Sequence, residues 1–166
     1  EFEGYSYDGA EASFELFIMR ELTKVPDYFK LKSFQVINEY KDLKDNLEAN
    51  NTAKANVIVK VKKEYFSNSI GNGPVNALDN ALRSVLIKSY PTLKKMNLID
   101  YKVRILTPDQ GTKAITRVII ESSDEKKKNW STVGVSSNVI NASYIALKES
   151  ITYKLIKSKI KSAFEK

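Results

Sequence analysis

The sequence contains neither cysteine nor histidine. Their joint absence removes disulfides, thiol nucleophiles, imidazole bases and the commonest zinc ligands in one step. Punctuating residues are also scarce, with four prolines and six glycines in 166 residues, so each one marks a boundary to be read. No apolar run approaches the roughly 20 residues that span a bilayer, and Glu1 and Glu3 stand where a signal peptide needs basic residues. With cysteine missing as well, this reads as a soluble, cytoplasmic chain without a membrane partner. What is present is ordinary for a globular protein: 42% hydrophobic and 28% charged residues. The length suits one compact domain with a helical arm and falls short of a complete (β/α)₈ barrel, which takes about 250 residues.

Lysine and arginine outnumber aspartate and glutamate 27 to 20, a net charge of +7 that makes nucleic acid a partner to consider. The lysines toward the C-terminus, Lys148, Lys154, Lys157, Lys159 and Lys161, surround an apolar stripe, and acidic residues intersperse the rest. No RRM, KH or zinc-finger signature accompanies them, so they read as a solvated basic surface and nucleic acid is not expected.

Hydrophobic spacing divides the chain. Over residues 8–24, Ala12, Phe14, Leu16, Phe17, Met19 and Leu22 fit a helix, with Asp8 as N-cap, Glu11 completing a capping box and Pro26 marking the end. The start Glu1-Phe2-Glu3 has no Met, as an excised piece of a longer protein would. From Ser33 the period becomes two, Phe34, Val36 and Asn38 opposing Gln35, Ile37 and Glu39. A polar interval rich in Asn and Lys precedes a second strand, with Ala55, Val57, Val59 and Val61 on one face and Lys54, Asn56, Lys60 and Lys62 on the other. A third short strand spans residues 64–70 and ends at Gly71-Asn72-Gly73-Pro74. Pro74 suits a first helical position, after which Val75, Leu78, Leu82 and Val85 line one face up to Pro91.

The cycle then restarts. Tyr101, Val103 and Ile105 alternate with Lys102 and Arg104, and Pro108-Asp109-Gln110-Gly111 reads as a turn. Ala114, Thr116, Val118 and Ile120 alternate with Lys113, Arg117 and Glu121, and residues 130–135 supply one more strand after Lys126-Lys127-Lys128. Ser136-Ser137-Asn138 offer cap chemistry to a last helix carrying Ile140, Tyr144, Leu147, Ile151 and Leu155. Asn76-Ala77 with Ala81-Leu82 is echoed 65 positions later by Asn141-Ala142 with Ala146-Leu147. The repeating unit is βββα, and two copies give an α+β fold of antiparallel sheets with helices packed on one face, behind an N-terminal helical segment. The organisation reads as residues 1–30 for that segment and 31–166 for the domain, with units at about 31–90 and 98–160. Open strand edges favour pairing with a second copy.

Candidate chemistry is sparse. Gly71-Asn72-Gly73-Pro74 offers unpaired N–H groups and a helix N-terminus to an anion, although it has neither dinucleotide-binding nor P-loop spacing. Ser136-Ser137 is a second helix entry, read as ordinary capping. Tyr5 and Tyr7 read as interface, and Trp130 as core rather than a base-stacking platform. Asp100, Glu121 and Asp124 sit at strand ends and turns, where charges are solvated; nothing pairs them for acid–base work, so neither a catalytic site nor a metal site is expected.

Several blocks carry a resemblance. The run from Gly71-Asn72-Gly73-Pro74-Val75-Asn76-Ala77 to Arg83, then Asp100-Tyr101-Lys102-Val103-Arg104-Ile105-Leu106 and Gly111-Thr112-Lys113-Ala114, resembles the C-terminal regulatory domain of the 2-isopropylmalate synthase family. The closing run Trp130-Ser131-Thr132-Val133-Gly134-Val135-Ser136 and Asn138-Val139-Ile140-Asn141-Ala142-Ser143 resembles the same domain's second half. Glu3-Gly4-Tyr5, Gly9-Ala10-Glu11-Ala12-Ser13-Phe14-Glu15-Leu16 and Glu121-Ser122-Ser123-Asp124 resemble its (R)-citramalate synthase branch.

The resemblance implies an allosteric module of two βββα units that dimerises and binds an end-product amino acid, isoleucine in the citramalate branch and leucine in the other. The catalytic TIM barrel that uses acetyl-CoA and a divalent metal would be a separate region, and no cofactor is expected here. Carried over position by position, the effector contacts are Gly71, Gly73 and Asn76 at the glycine loop, Leu98, Tyr101 and Ile105 along a strand, and Thr112, Ala114 and Val135 as the remaining wall, near the junction of the two units. Asn76 replaces an alanine frequent in the leucine-sensing relatives. A structural dimerisation module and a nucleic-acid-binding module are the alternatives.

Overall fold

The computed structural model describes residues 4–40 and 51–165; the Glu1-Phe2-Glu3 start and the Asn- and Lys-rich interval at 41–50 lie outside the described residues. In chain order the elements are α1 (Glu11–Leu22), β1 (Lys30–Tyr40), β2 (Asn51–Lys60), β3 (Glu64–Gly71), α2 (Pro74–Ser89), β4 (Asn97–Ile105), β5 (Thr116–Ser123), β6 (Asn129–Ser136) and α3 (Val139–Lys157). Short 3₁₀ turns occupy Pro91–Lys95 and Pro108–Lys113. The strands form two antiparallel three-stranded sheets, β1-β2-β3 and β4-β5-β6, each followed by its helix. This is the α+β fold of two βββα units read from the repeat. The chain forms two compact bodies, Asp27–Pro91 with Ser162–Lys166, and Thr92–Lys161 with Glu1–Pro26.

In the β1–β3 body, Ala53, Ala55, Val57 and Val59 turn one face of β2 into the core, and Val61 just past its end is buried with them. Ala77, Leu78, Ala81, Leu82, Val85 and Leu86 of α2 are buried with them. Each fully buried valine or leucine contributes about 1.5–3 kcal/mol relative to exposure. The opposite face carries an amide ladder across all three strands, in which Asn68 donates to Asn56 and Asn56 to Gln35. Residues after α3 close this body: Ser162 Oγ donates to the Asp27 carbonyl, the Ala163 N–H to Tyr90 Oη, and Tyr90 Oη to the Tyr28 carbonyl at 2.7 Å.

In the β4–β6 body α3 lies on the sheet so closely that small residues and hydroxyls make the seam. A Cβ on Gly134 would fall 2.0 Å from the Ala142 carbonyl oxygen and 2.8 Å from the Ala146 nitrogen. Thr132 Oγ1 donates to the Ala146 carbonyl at 2.8 Å, and Ser150 Oγ meets both Ser122 Oγ and the Trp130 Nε1–H at 2.8 Å. Trp130 is 4% exposed, a core residue. The helix is buried over a wider arc than the stripe Ile140, Tyr144, Leu147, Ile151 and Leu155 suggests. Ile140 and Tyr144 are half-buried, whereas Ala142, Ala146, Ser150 and Lys154 are buried at every fourth position.

The start of α1 departs from the capping-box reading. Asp8 and Gly9 form a turn, Gly9 with φ +71°, and α1 begins at Glu11 behind Ala10, with no side-chain cap. The Glu11 carboxylate is used elsewhere: it accepts the Ser131 N–H at 2.9 Å. Ser13 Oγ accepts the Val133 N–H at 3.0 Å, so α1 occupies hydrogen-bonding positions along the outer edge of β6. Arg20 binds Glu149 at 2.6 Å, and Glu15 accepts from Tyr153 Oη and Lys157 on α3. The helix stops at Thr23, well before Pro26, because the Thr23 N–H and hydroxyl both return to the Met19 carbonyl.

Candidate functional site

The glycine loop is built by close approach. Gly71 ends β3, where a Cβ would lie 2.4 Å from the Ala77 nitrogen and 2.6 Å from Asn76 Oδ1, so only glycine lets the strand pass the first turn of α2. Gly73 is the N-cap, with extended backbone and open space around it. Pro74 takes the first helical position, as its missing N–H predicts. Asn76 is exposed; its Oδ1 accepts the Asn72 N–H at 3.2 Å, which leaves its NH₂ as the group available to donate. Asn80 Nδ2 donates to the Ile70 carbonyl at 3.0 Å and fixes the same loop.

In the other body, a bulge between Leu98 and Asp100 restores Leu98 and Tyr101 to one face, opposite Ser122 and Ile120. Ile105 shares that face at the far end, 57% exposed and paired with Thr116. Ile105 lies seven positions after Leu98, which without the bulged residue is six strand steps, about 20 Å at about 3.3 Å per residue, so Tyr101 stands midway in a row longer than one small ligand. Tyr101 Oη lies 2.8 Å from Ser143 Oγ, which itself donates to the Val139 carbonyl. With the serine proton engaged there, the tyrosine proton goes to Ser143 and the phenol oxygen keeps lone pairs for an incoming donor. Ser143, fully buried, has no recognisable signature in sequence beyond its place in the second Asn-Ala block.

The remaining wall residues are dispersed. Thr112 is exposed in the 3₁₀ turn, and Ala114 is buried just after it, its N–H donating to the Gly111 carbonyl. Val135 pairs across Arg117, which pairs with Arg104; this register sets Val135 on the opposite face of the sheet from Tyr101. There it borders Gly4, whose carbonyl accepts the Arg117 Nε–H at 2.7 Å.

The carboxylates are internally occupied. Asp100 lies 2.6 Å from Lys102, and the lysine hydrogen bond, helped by the Tyr101 N–H, lowers its pKa. Glu121 accepts from Asn129 at 2.9 Å. Burial works to raise the Asp124 pKa, but the N–H groups of Lys128 and Lys126 and the Lys154 ammonium outweigh it and leave it lowered. Lys154 departs from the solvated reading given to the C-terminal lysines: it is buried in the seam, 3.2 Å from Asp124 and 3.3 Å from Glu125, since a buried ammonium requires paired charge. Among the described residues, no three His, Cys, Asp or Glu side chains gather to hold a metal ion, and no helix is long and apolar enough to cross a membrane.

Residues 8–155 match the family model described as the LeuA allosteric (dimerisation) domain. The chain is 51% identical over 156 residues to an (R)-citramalate synthase of Aquifex aeolicus, covering 93% of this chain and 29% of that protein. It is 50% identical over 157 residues to an (R)-citramalate synthase of Geobacter sulfurreducens, with the same coverage, 93% and 29%. A 2-isopropylmalate synthase of Clostridium acetobutylicum is 31% identical over 124 residues, 73% of this chain and 21% of that protein. The chain therefore spans under a third of the length of these relatives.

Proposed function

The chain belongs to the LeuA allosteric (dimerisation) domain family, and on that premise we propose that it is the effector-sensing, homodimer-forming part of a citramalate synthase-like acyltransferase, with isoleucine as its ligand. The observation that carries the reading is the match over residues 8–155, which takes in both βββα units. Isoleucine is preferred to leucine because identity reaches 51% with a citramalate synthase against 31% with a 2-isopropylmalate synthase. The reaction of the whole protein would belong to a TIM-barrel region using acetyl-CoA and a divalent metal, and this domain would contribute regulation.

An amino acid needs donors for its carboxylate, acceptors for its ammonium and an apolar surface for its side chain. The free NH₂ of Asn76 beside the start of α2 suits the first requirement, and Gly71 and Gly73 let a ligand approach that backbone. The lone pairs of Tyr101 Oη suit the second. Leu98, Ile105 and Ala114 offer apolar surface, with Thr112 beside Ala114, and Val135 adds apolar surface on the opposite sheet face. Separating isoleucine from leucine is a matter of branching shape, worth about 1–3 kcal/mol. Allostery then requires isoleucine to bind one state of the domain more tightly than another.

Calorimetry with isoleucine, leucine and valine tests this. The reading expects saturable heat with isoleucine, weaker binding of the other two, and loss of affinity in Tyr101→Ala. Tighter binding of leucine moves the chain to the leucine-sensing class, and no heat with any of the three leaves a structural dimerisation domain.

A further inference from the structure

Asparagine followed by glycine undergoes a reaction that other asparagines resist. The backbone nitrogen of the following residue attacks the side-chain amide carbon, a five-membered succinimide ring forms, the Cγ–Nδ2 bond breaks and ammonia leaves. Water then opens the ring at either carbonyl, giving aspartate or isoaspartate. A side chain on the following residue obstructs the attack, and glycine has none. Asn72-Gly73 is the one Asn-Gly pair in the chain.

A folded chain suppresses this chemistry where it engages the attacking N–H or the side-chain amide. Here it engages neither. β3 ends at Gly71, before the pair, and Gly73 as N-cap enters α2 through its carbonyl, which accepts the Ala77 N–H at 2.9 Å. Among the described residues neither the Gly73 N–H nor the Asn72 side chain has a hydrogen-bond partner; Asn72 is held by its own backbone N–H, which donates to Asn76 Oδ1. Asn72 is exposed, and no atom lies within 4 Å of a Cβ position on Gly73, which leaves room for the ring.

The neighbouring asparagines are tied down. Asn68, followed by the small Ser69, sits within β3 and donates to Asn56 in the amide ladder. Asn76 Oδ1 accepts the Asn72 N–H, and Asn80 Nδ2 donates to the Ile70 carbonyl. The start of α2 also favours the reaction at Asn72. Negative charge develops as the ring closes and ends on a carboxylate; the positive end of the helix dipole stabilises it, and no acidic residue of the first turn opposes it.

We propose that Asn72 is a site of spontaneous deamidation in the folded protein, with water as the co-reactant and a carboxylate at the head of α2 as the product. The reaction needs no amino-acid ligand, so it is measured independently of effector binding.

The full chain is incubated at mildly alkaline pH, folded and in urea, and the tryptic peptide of residues 64–83, which carries Asn68, Asn72, Asn76 and Asn80, is sequenced by mass spectrometry. Each conversion raises the mass by about 1 Da. In the folded chain Asn72 should convert at least tenfold faster than the other three, and urea should change its rate less than threefold while releasing Asn68. Gly73→Ala, a position with open space, should slow the conversion at least fivefold. An Asn72 left intact in the folded chain, equal rates at the four asparagines, or an unchanged rate in Gly73→Ala would each overturn the proposal.

Discussion

Substituting Gly134 by Ala presses a methyl group against backbone on two sides. The added Cβ would lie 2.0 Å from the Ala142 carbonyl oxygen and 2.8 Å from the Ala146 nitrogen, where ordinary contacts run 3.4–4 Å. Neither is the movable end of a side chain, so α3 has to retreat from β6 by roughly 1 Å or more, loosening the core packed beneath it. Thr132 and Ser150 would lose good geometry to their partners in the same movement. Overpacking usually costs about 1–3 kcal/mol. With backbone as the obstacle the upper end applies, about 3 kcal/mol, or about 6–12 °C in melting temperature for a chain of this size. Urea and thermal unfolding followed by Trp130 fluorescence read it directly, since Trp130 lies in the same seam. Gly73→Ala is the control: no atom lies within 4 Å of its Cβ position and its backbone is extended, so less than about 1 kcal/mol is expected. A Gly134→Ala midpoint within about 2 °C of the parent would refute the close-packed seam.

Asn138→Ala removes the side-chain acceptor of the Ile140 and Asn141 N–H groups and should cost about 1 kcal/mol in urea unfolding. Ser13→Ala strands the buried Val133 N–H at the edge of β6 and should cost about 1–3 kcal/mol, with faster hydrogen exchange at Val133. Burial raises the Tyr144 pKa to about 12. The folded chain thus favours the neutral phenol; the contribution is complete below about pH 10 and is lost as pH rises toward 12. Tyr144→Phe should flatten stability across that alkaline window.

The elements whose periodicity is fixed by one buried face were legible from sequence. The valines of β2, Pro74 at the head of α2 and the Asn-Ala echo announce two βββα units before any coordinates. Contacts between distant segments were not. Glu11 reads locally as half of a capping box, yet its carboxylate serves the Ser131 N–H 120 residues away. Lys154 reads as one more solvated lysine until the β5–β6 loop folds Asp124 against it. For the candidate site, the glycine loop was visible as punctuation, and the steric need at Gly71 gives it a cause. The face assignments were not visible, because the bulge after Leu98 shifts parity and Val135 takes the opposite side of its sheet.

The central claim, that this domain senses a branched-chain amino acid, is tested most directly by the thermal midpoint of the full chain with and without isoleucine. At about 100 times the dissociation constant, a ligand bound only by the folded state adds about 2.7 kcal/mol, which predicts a rise of about 5–11 °C. A midpoint that stays put with isoleucine, leucine and valine alike would contradict it.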